Sequence, residues 1–324
     1  MNLKIVVALI ATVMALQQAA SAPAMTAHTL ETREGTRQYL VMQPPGAKDG
    51  VKPLLILLHG HGGSGEFMLG QRSIQGYSSQ GWQKLAEREQ LLLIAPQGTI
   101  ASDQQSAWND CRGDASTNAK TDDVAFISAL IDAAVREHRA DPARVYVFGY
   151  SNGGGLAYRL GIELRPRLAA VAVQSTLMAA NSSCKPPASP LPIFISHGTQ
   201  DDVMPYAGGA IGGADMQGRG TGLGAEASVA IWRRLDGLPE QPVVYRFPQM
   251  NPSSATSATR FVWGDDPAGL QVCFLRIDGG GHVHASKTED FPLGLRKLVG
   301  EMNHDVDTVE EVWAFFRDKR APAK

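Results

Sequence analysis

Residues 145–161 read Val-Tyr-Val-Phe-Gly-Tyr-Ser-Asn-Gly-Gly-Gly-Leu-Ala-Tyr-Arg-Leu-Gly. An apolar run stops at Gly149-Tyr150-Ser151-Asn152-Gly153, and a helical pattern starts at once. Glycine on both sides of a serine removes side chains where the backbone must turn sharply. Two arrangements satisfy this: an ordinary strand-to-helix loop, or a nucleophile elbow that holds a serine hydroxyl out at the top of a sheet. The rest of the chain has to decide between them.

Short apolar runs bounded by turn residues recur along the sequence. They are Lys52–Gly60, Leu91–Gly98, Arg144–Gly149, Leu168–Ser175, Leu191–Gly198 and Val272–Ile277. Such runs suit strands buried on both faces. Helical patterns lie between them. Trp82–Gln90 has helical spacing, and in 124–138 the apolar positions 124, 127, 130, 131, 134 and 135 share one face. Asp122 and Asp123 stand at its start, where an aspartate caps a helix. Residues 306–319 form a closing helix. Alternating strands and helices at this spacing predict an α/β fold with a mostly parallel central sheet and helices on both faces.

Arg37–Ala47 reads as an edge strand ending at Pro44-Pro45. The glycine-rich stretch 208–224 and the Ser/Thr-rich stretch 251–260 read as loops within the domain. The chain shows no internal repeat and no linker to a second module.

The first 22 residues have a separate role. Lys4 is followed by an apolar run from Ile5 to Leu16 and by the small-residue site Ala20-Ser21-Ala22. That order reads as a secretory signal peptide cut after Ala22. The run is too short to span a bilayer, which takes about 20 apolar residues. Residues 23–324 then form a single catalytic domain that is exported to the periplasm or outside the cell, with no membrane anchorage after cleavage. The formal net charge is −2 and no basic stretch stands out, which argues against a nucleic-acid partner. Of the three cysteines, Cys273 sits in an apolar strand. Cys111 and Cys184 lie in polar, loop-like surroundings, which favours their pairing among the three that are possible.

A strand before Gly-x-Ser-x-Gly and a helix after it make Ser151 a candidate nucleophile. A serine hydroxyl needs a base, and the base needs an acid to orient it. In chain order the acid should follow a later strand, and the histidine a later one still. Asp201 and Asp202 follow Leu191–Gly198. His282 and His284 follow Val272–Ile277, and the three glycines before His282 favour it as the base. The oxyanion of the tetrahedral intermediate needs two donors. One is the backbone N–H of Asn152. The other comes from the loop His59-Gly60-His61-Gly62-Gly63, with His61 N–H the best placed and His59 left to organise the loop. His59-x-His61 and His282-x-His284 could also be read as zinc ligands. Each pair is already explained by the hydrolase reading, and no cysteine or carboxylate completes a zinc spacing, so neither metal nor cofactor is expected.

These motifs resemble the secreted polyhydroxybutyrate depolymerase and feruloyl esterase group of α/β-hydrolases, from about Arg37 to Phe316. Leu57–Gly65 resembles the group's oxyanion loop. Pro96–Thr99, Ala107–Cys111 and Thr121–Asp132 resemble its central segment, and Arg144–Leu160 its elbow. Leu191–Gly209 is similar to its acid loop, which places the acid at Asp201, and Gly279–His282 to its histidine loop. The resemblance implies an α/β-hydrolase fold. Two stretches depart from it. Val283-His284-Ala285 replaces the usual x-Trp-Pro after the histidine. The run after Trp232 lacks the usual Asn-Gly-Cys.

The expected activity is hydrolysis of carboxylic esters through an acyl-enzyme, with a small ester, a polysaccharide-linked ester or a polyester oligomer as partner. Feruloyl or other short esters of plant polysaccharide come first and hydroxybutyrate oligomers second. A non-catalytic binding protein on the same fold is the rival of another class. Trp82, Trp108 and Trp263 are candidates for an aromatic substrate cleft.

Overall fold

A computed structural model describes residues 24–44, 50–73, 80–212 and 216–322. The leader read at 1–22 and the end of the Pro44-Pro45 turn lie outside them. Fourteen strands are described: β1 (Ala24–Thr32), β2 (Gly35–Gln43), β3 (Lys52–Leu58), β4 (Leu92–Pro96), β5 (Thr99–Ile100), β6 (Ser106–Ala107), β7 (Ala140–Tyr150), β8 (Ala170–Gln174), β9 (Ile193–Gly198), β10 (Gly208–Ala210), β11 (Thr221–Leu223), β12 (Val243–Arg246), β13 (Ser257–Trp263) and β14 (Val272–Asp278). The helices are α1 (Gly65–Met68), α2 (Gly81–Glu89), α3 (Asp123–His138), α4 (Asn152–Glu163), α5 (Ala225–Leu235), α6 (Leu293–Val299) and α7 (Thr308–Phe316).

Ten strands form one sheet in the order β1-β2-β4-β3-β7-β8-β9-β14-β13-β12. From β4 to β14 every neighbouring pair is parallel, and the two outer strands on each side are antiparallel. The apolar runs are continuous because each central strand is covered on both sides, and successive side chains go to opposite faces. Leu54, Ile56, Leu58, Val145, Val147, Val171 and Val173 pack with residues of α3, α4 and α5. Leu55, Leu57, Tyr146, Phe148, Ala170 and Ala172 pack with residues of α1, α2 and α7. The α/β architecture expected from the sequence is therefore present.

Two expectations are corrected. β2 is a strand but not the edge. β1 folds back on it from Thr32↔Gly35 to Ala24↔Gln43 and takes that place. The polar composition of β1 hid it, because an edge strand that faces solvent carries little apolar signal. The second half of the Ser/Thr-rich stretch is β13, paired antiparallel with β14. There Ala258 and Thr259 are buried, and alternation together with β-branching outweighs polar composition. Within the 208–224 stretch, β10 and β11 pair antiparallel from Gly208↔Leu223 to Ala210↔Thr221.

Asp122 caps α3 by accepting from Ala125 N–H at 3.0 Å. Its neighbour Asp123 turns inward, where it pairs with Arg37 of β2 at 2.8 Å and accepts from Asn109 N–H at 2.7 Å. Cys111 and Cys184 form a disulfide, and Cys273 is buried and free. The bridge links positions 73 residues apart, worth about 4 kcal/mol in the chain-entropy account of cross-linking.

Candidate active site

The parallel strands β3, β7, β9 and β14 all end on one edge of the sheet, so the loops that follow them meet there. Chain order reverses around β3, which has β4 on one side and β7 on the other. This is where open α/β sheets place their sites.

Ser151 stands between β7 and α4 at φ 53°, ψ −123°. This is an unfavourable backbone for a residue with a side chain, and strain of that kind costs about 1–3 kcal/mol. Its Oγ lies 3.0 Å from His282 Nε2, and His282 Nδ1 lies 2.8 Å from Asp201 Oδ2. All three residues are buried. The other carboxylate oxygen of Asp201 accepts from the N–H groups of Val203 at 2.9 Å and Met204 at 2.7 Å. Burial alone would raise the Asp201 pKa. The charge and hydrogen bond of His282, then the charge of His197 and the Met204 N–H, outweigh it and hold the carboxyl below its ordinary value. An ionised Asp201 requires the proton on Nδ1 of His282, which leaves Nε2 free to accept from the Ser151 hydroxyl. Asp202, the neighbouring alternative, is exposed.

Gly60 and His61 of the glycine loop after β3 line the same cavity of about 350 Å³ as Ser151, Asn152 and His282. Asn152 N–H opens α4, where helix geometry provides no acceptor. Among the described residues none accepts from His61 N–H either. The Asn152 side chain faces the other way: its Oδ1 accepts from Trp108 N–H at 2.8 Å, and its Nδ2 donates to Asp110 Oδ2 at 2.9 Å. Residues 108–110 thereby brace the elbow from behind.

The three tryptophans do not form one cleft. Trp108 is fully buried, and its indole N–H donates to His59 O at 2.8 Å, so it supports the glycine loop from beneath. Trp263 pairs with Val272 at the start of β14, at the opposite end of that strand from the His282 loop, and its N–H reaches Glu240 O. Trp82 lines a neighbouring apolar cavity of about 170 Å³. Tyr150 and Val299 stand in the lining of both cavities.

The histidines of the two His-x-His pairs go to different partners. His61 Nε2 meets Asp103 Oδ2 at 2.8 Å, and His284 Nε2 meets Glu289 Oε2 at 3.2 Å. No cluster of three or more metal-ligating side chains occurs among the described residues.

His59 is fully buried. Its Nδ1–H donates to Gly60 O at 2.7 Å, and its Nε2 accepts from Gly98 N–H at 3.0 Å. Burial above all lowers its pKa to about 4. The folded state therefore keeps His59 neutral at pH values where the unfolded chain protonates it. Its stabilisation is complete above the ordinary histidine pKa near 6.5 and fades as pH falls towards 4, by at most about 3 kcal/mol. Urea denaturation of wild type and His59→Gln at pH 7.5 and pH 4.5 measures this. The wild-type advantage should shrink at the lower pH, and an equal gap at both would contradict the account.

Sequence reasoning missed two residues that hold the site together. Tyr150 OH donates to His282 O at 2.7 Å and fixes the histidine loop to the elbow. His197, buried beneath the acid loop, has its Nε2 2.7 Å from Met204 O and 3.6 Å from Asp201 Oδ2. The position of Tyr150 inside the elbow motif was the only available signal for the first. Proximity to the acid loop was the only one for the second.

This sheet, with a serine elbow and loops converging at its C-terminal edge, defines an α/β-hydrolase. The chain belongs to the esterase PHB depolymerase family, whose model matches residues 37–207, and it is a carboxylic ester hydrolase. It is similar to NocK of Nocardia uniformis subsp. tsuyamanensis, 28% identical over 296 residues, which covers 88% of this chain and 80% of NocK. It is also similar to feruloyl esterase B of Piromyces equi, 29% identical over 258 residues, covering 76% of this chain but 42% of that protein. The chain thus spans most of NocK and less than half of feruloyl esterase B. The solved acetyl xylan esterase from Aspergillus awamori shares the fold, with a TM-score of 0.52 at 14% identity over 78% of this chain and 92% of that one.

Proposed function

We propose that the protein is an exported serine esterase in which Ser151, His282 and Asp201 act as a catalytic triad. The supporting observation is the continuous relay from Ser151 Oγ through both nitrogens of His282 to Asp201 Oδ2. Ser151 Oγ bonds to the ester carbonyl carbon while its proton passes to His282 Nε2. The carbonyl oxygen becomes an oxyanion held by the N–H groups of Asn152 and His61. Collapse breaks the bond to the alkoxy oxygen, which leaves as the alcohol with the proton from His282. Water then attacks the acyl-enzyme by the same proton route and regenerates Ser151. Asp201 orients the imidazole and stabilises its cation throughout.

The leader pattern at residues 1–22 supports export, and the Cys111–Cys184 bridge fits an oxidising compartment. Feruloyl or other short esters of plant polysaccharide are the first substrate class, supported by the named activity of feruloyl esterase B. The description of the family favours a second reading, hydrolysis of hydroxybutyrate oligomers. Hydrolysis of p-nitrophenyl acetate, methyl ferulate and a hydroxybutyrate trimer by the purified protein decides between them. A preference for methyl ferulate supports the first class, and preference for the trimer replaces it with the second. A folded protein that cleaves none of them and resists fluorophosphonate labelling would overturn the esterase reading in favour of a binding protein.

A further inference from the structure

Among the described residues of the glycine-rich stretch 208–224, Arg219 is the charged one that lines the Ser151 cavity. The backbone carbonyls of residues 218–220 are all held. Gly218 O accepts from Thr117 N–H at 3.2 Å and Thr117 Oγ1 at 3.0 Å, and Gly220 O accepts from Ile211 N–H at 3.0 Å. The carbonyl of Arg219 itself accepts from Arg112 Nη1. Gly218 and Gly220 have φ of 79° and 78°, and a Cβ on either would come within 3.0 Å of Ser116 or Asp114. The tripeptide is therefore a tight mount for one arginine.

The donors of that arginine are only partly used. Arg219 Nη2 lies 3.2 Å from Asp103 Oδ2, which also bonds His61. Nη1 is buried and meets no acceptor among the described residues. An unpaired buried guanidinium donor is costly, and it is the kind of exception that a ligand explains. Arg112, the other arginine in the cavity lining, differs. It is committed to Asp110, Asn118 and the Arg219 carbonyl. The described residues that line the cavity include these two arginines and no carboxylate. A guanidinium fork with a free donor matches a planar carboxylate.

We propose that Arg219 is a carboxylate-binding subsite beside the nucleophile, so that the preferred substrates are esters carrying a carboxylate near the scissile bond. Arg112 acts as a positioning residue by holding the Arg219 carbonyl. The proposal rests on the esterase reading of Ser151. It favours the second substrate class, hydroxybutyrate oligomers with a free acid end, together with other acidic esters, over neutral feruloyl esters.

Two matched pairs test it. 3-Acetoxybutanoate against its primary amide places the charge on the alcohol side. Mono-p-nitrophenyl glutarate against p-nitrophenyl hexanoate places it on the acyl side. In wild type, kcat/KM should favour the acid in at least one pair by about tenfold or more. Arg219→Gln should bring that ratio close to one, and Arg219→Lys should restore part of it. A structural strut would alter rates without altering the ratio. Binding of 3-acetoxybutanoate, its amide and mono-p-nitrophenyl glutarate to Ser151→Ala, with and without Arg219→Gln, gives the same comparison by calorimetry and needs no turnover. Failure of the esterase reading would appear as absent hydrolysis of the neutral esters too, while the binding comparison still reports on Arg219. An acid preference that survives Arg219→Gln, or no acid preference in either pair or in binding, overturns the proposal.

Discussion

Replacing Ser151 by alanine should lower kcat/KM for every ester substrate by about 10⁵- to 10⁶-fold, the scale on which a triad nucleophile contributes. The change removes one hydroxyl, whose described partner is His282 Nε2 at 3.0 Å. It leaves the N–H groups of Asn152 and His61 and the His282–Asp201 pair in place. Alanine suffers the same backbone strain at φ 53° as serine, so thermal stability should hardly move. Glycine at 151 gives the contrasting arm. It should abolish activity equally while relieving strain, because a residue without Cβ tolerates positive φ. Esterase assays and fluorophosphonate labelling read the first effect, and thermal denaturation the second. Retention of more than about 1% of activity by Ser151→Ala would place the nucleophile elsewhere.

What could be read from the sequence followed from how each feature is encoded. Strands buried on both faces announce themselves as apolar runs, so β3, β4, β7, β8, β9 and β14 were legible along with the loops that follow them. Ser151 and His282 came from chain order together with local motifs, Asp201 was chosen over Asp202 by the family resemblance, and their mutual distances only a folded chain can give. β1 and β13 were not legible, because strands at or near a sheet edge need few apolar residues. Trp108 and Trp263 stand away from the expected aromatic cleft for a related reason. Sequence says that an indole will be buried but not against what, and Trp108 spends its N–H on the carbonyl of His59 rather than facing substrate. Arg219 lies in a stretch that composition marks only as a loop. Its partners Arg112 and Asp103 are far off in sequence, so nothing local could mark it as a lining residue of the Ser151 cavity.

The elbow glycines carry the second large effect, and Gly153→Ala shows why. Gly153 lies in the first turn of α4, directly over the end of β3. A Cβ there would fall within 3.0 Å of the carbonyl oxygens of both Leu58 and His59. Those atoms belong to the backbone of a central strand and of the glycine loop after it, so neither can rotate away as a side chain would. The helix would have to lift from the sheet, taking Ser151 and the Asn152 N–H with it. The helix propensity gained on replacing glycine, about 1 kcal/mol, is too small to compensate. We expect Gly153→Ala to lose at least about 4 kcal/mol, the range reserved for a named steric or packing failure. Any folded fraction should also be inactive, because the positions of Ser151 and of the Asn152 and His61 N–H groups are set by that contact. Gly237→Ala is the control, since its Cβ would meet no heavy atom within 4 Å. Its φ of 66° predicts only a modest loss. Chemical denaturation of both variants measures the difference. A Gly153→Ala protein as stable as the control would mean that α4 does not pack on β3 this closely.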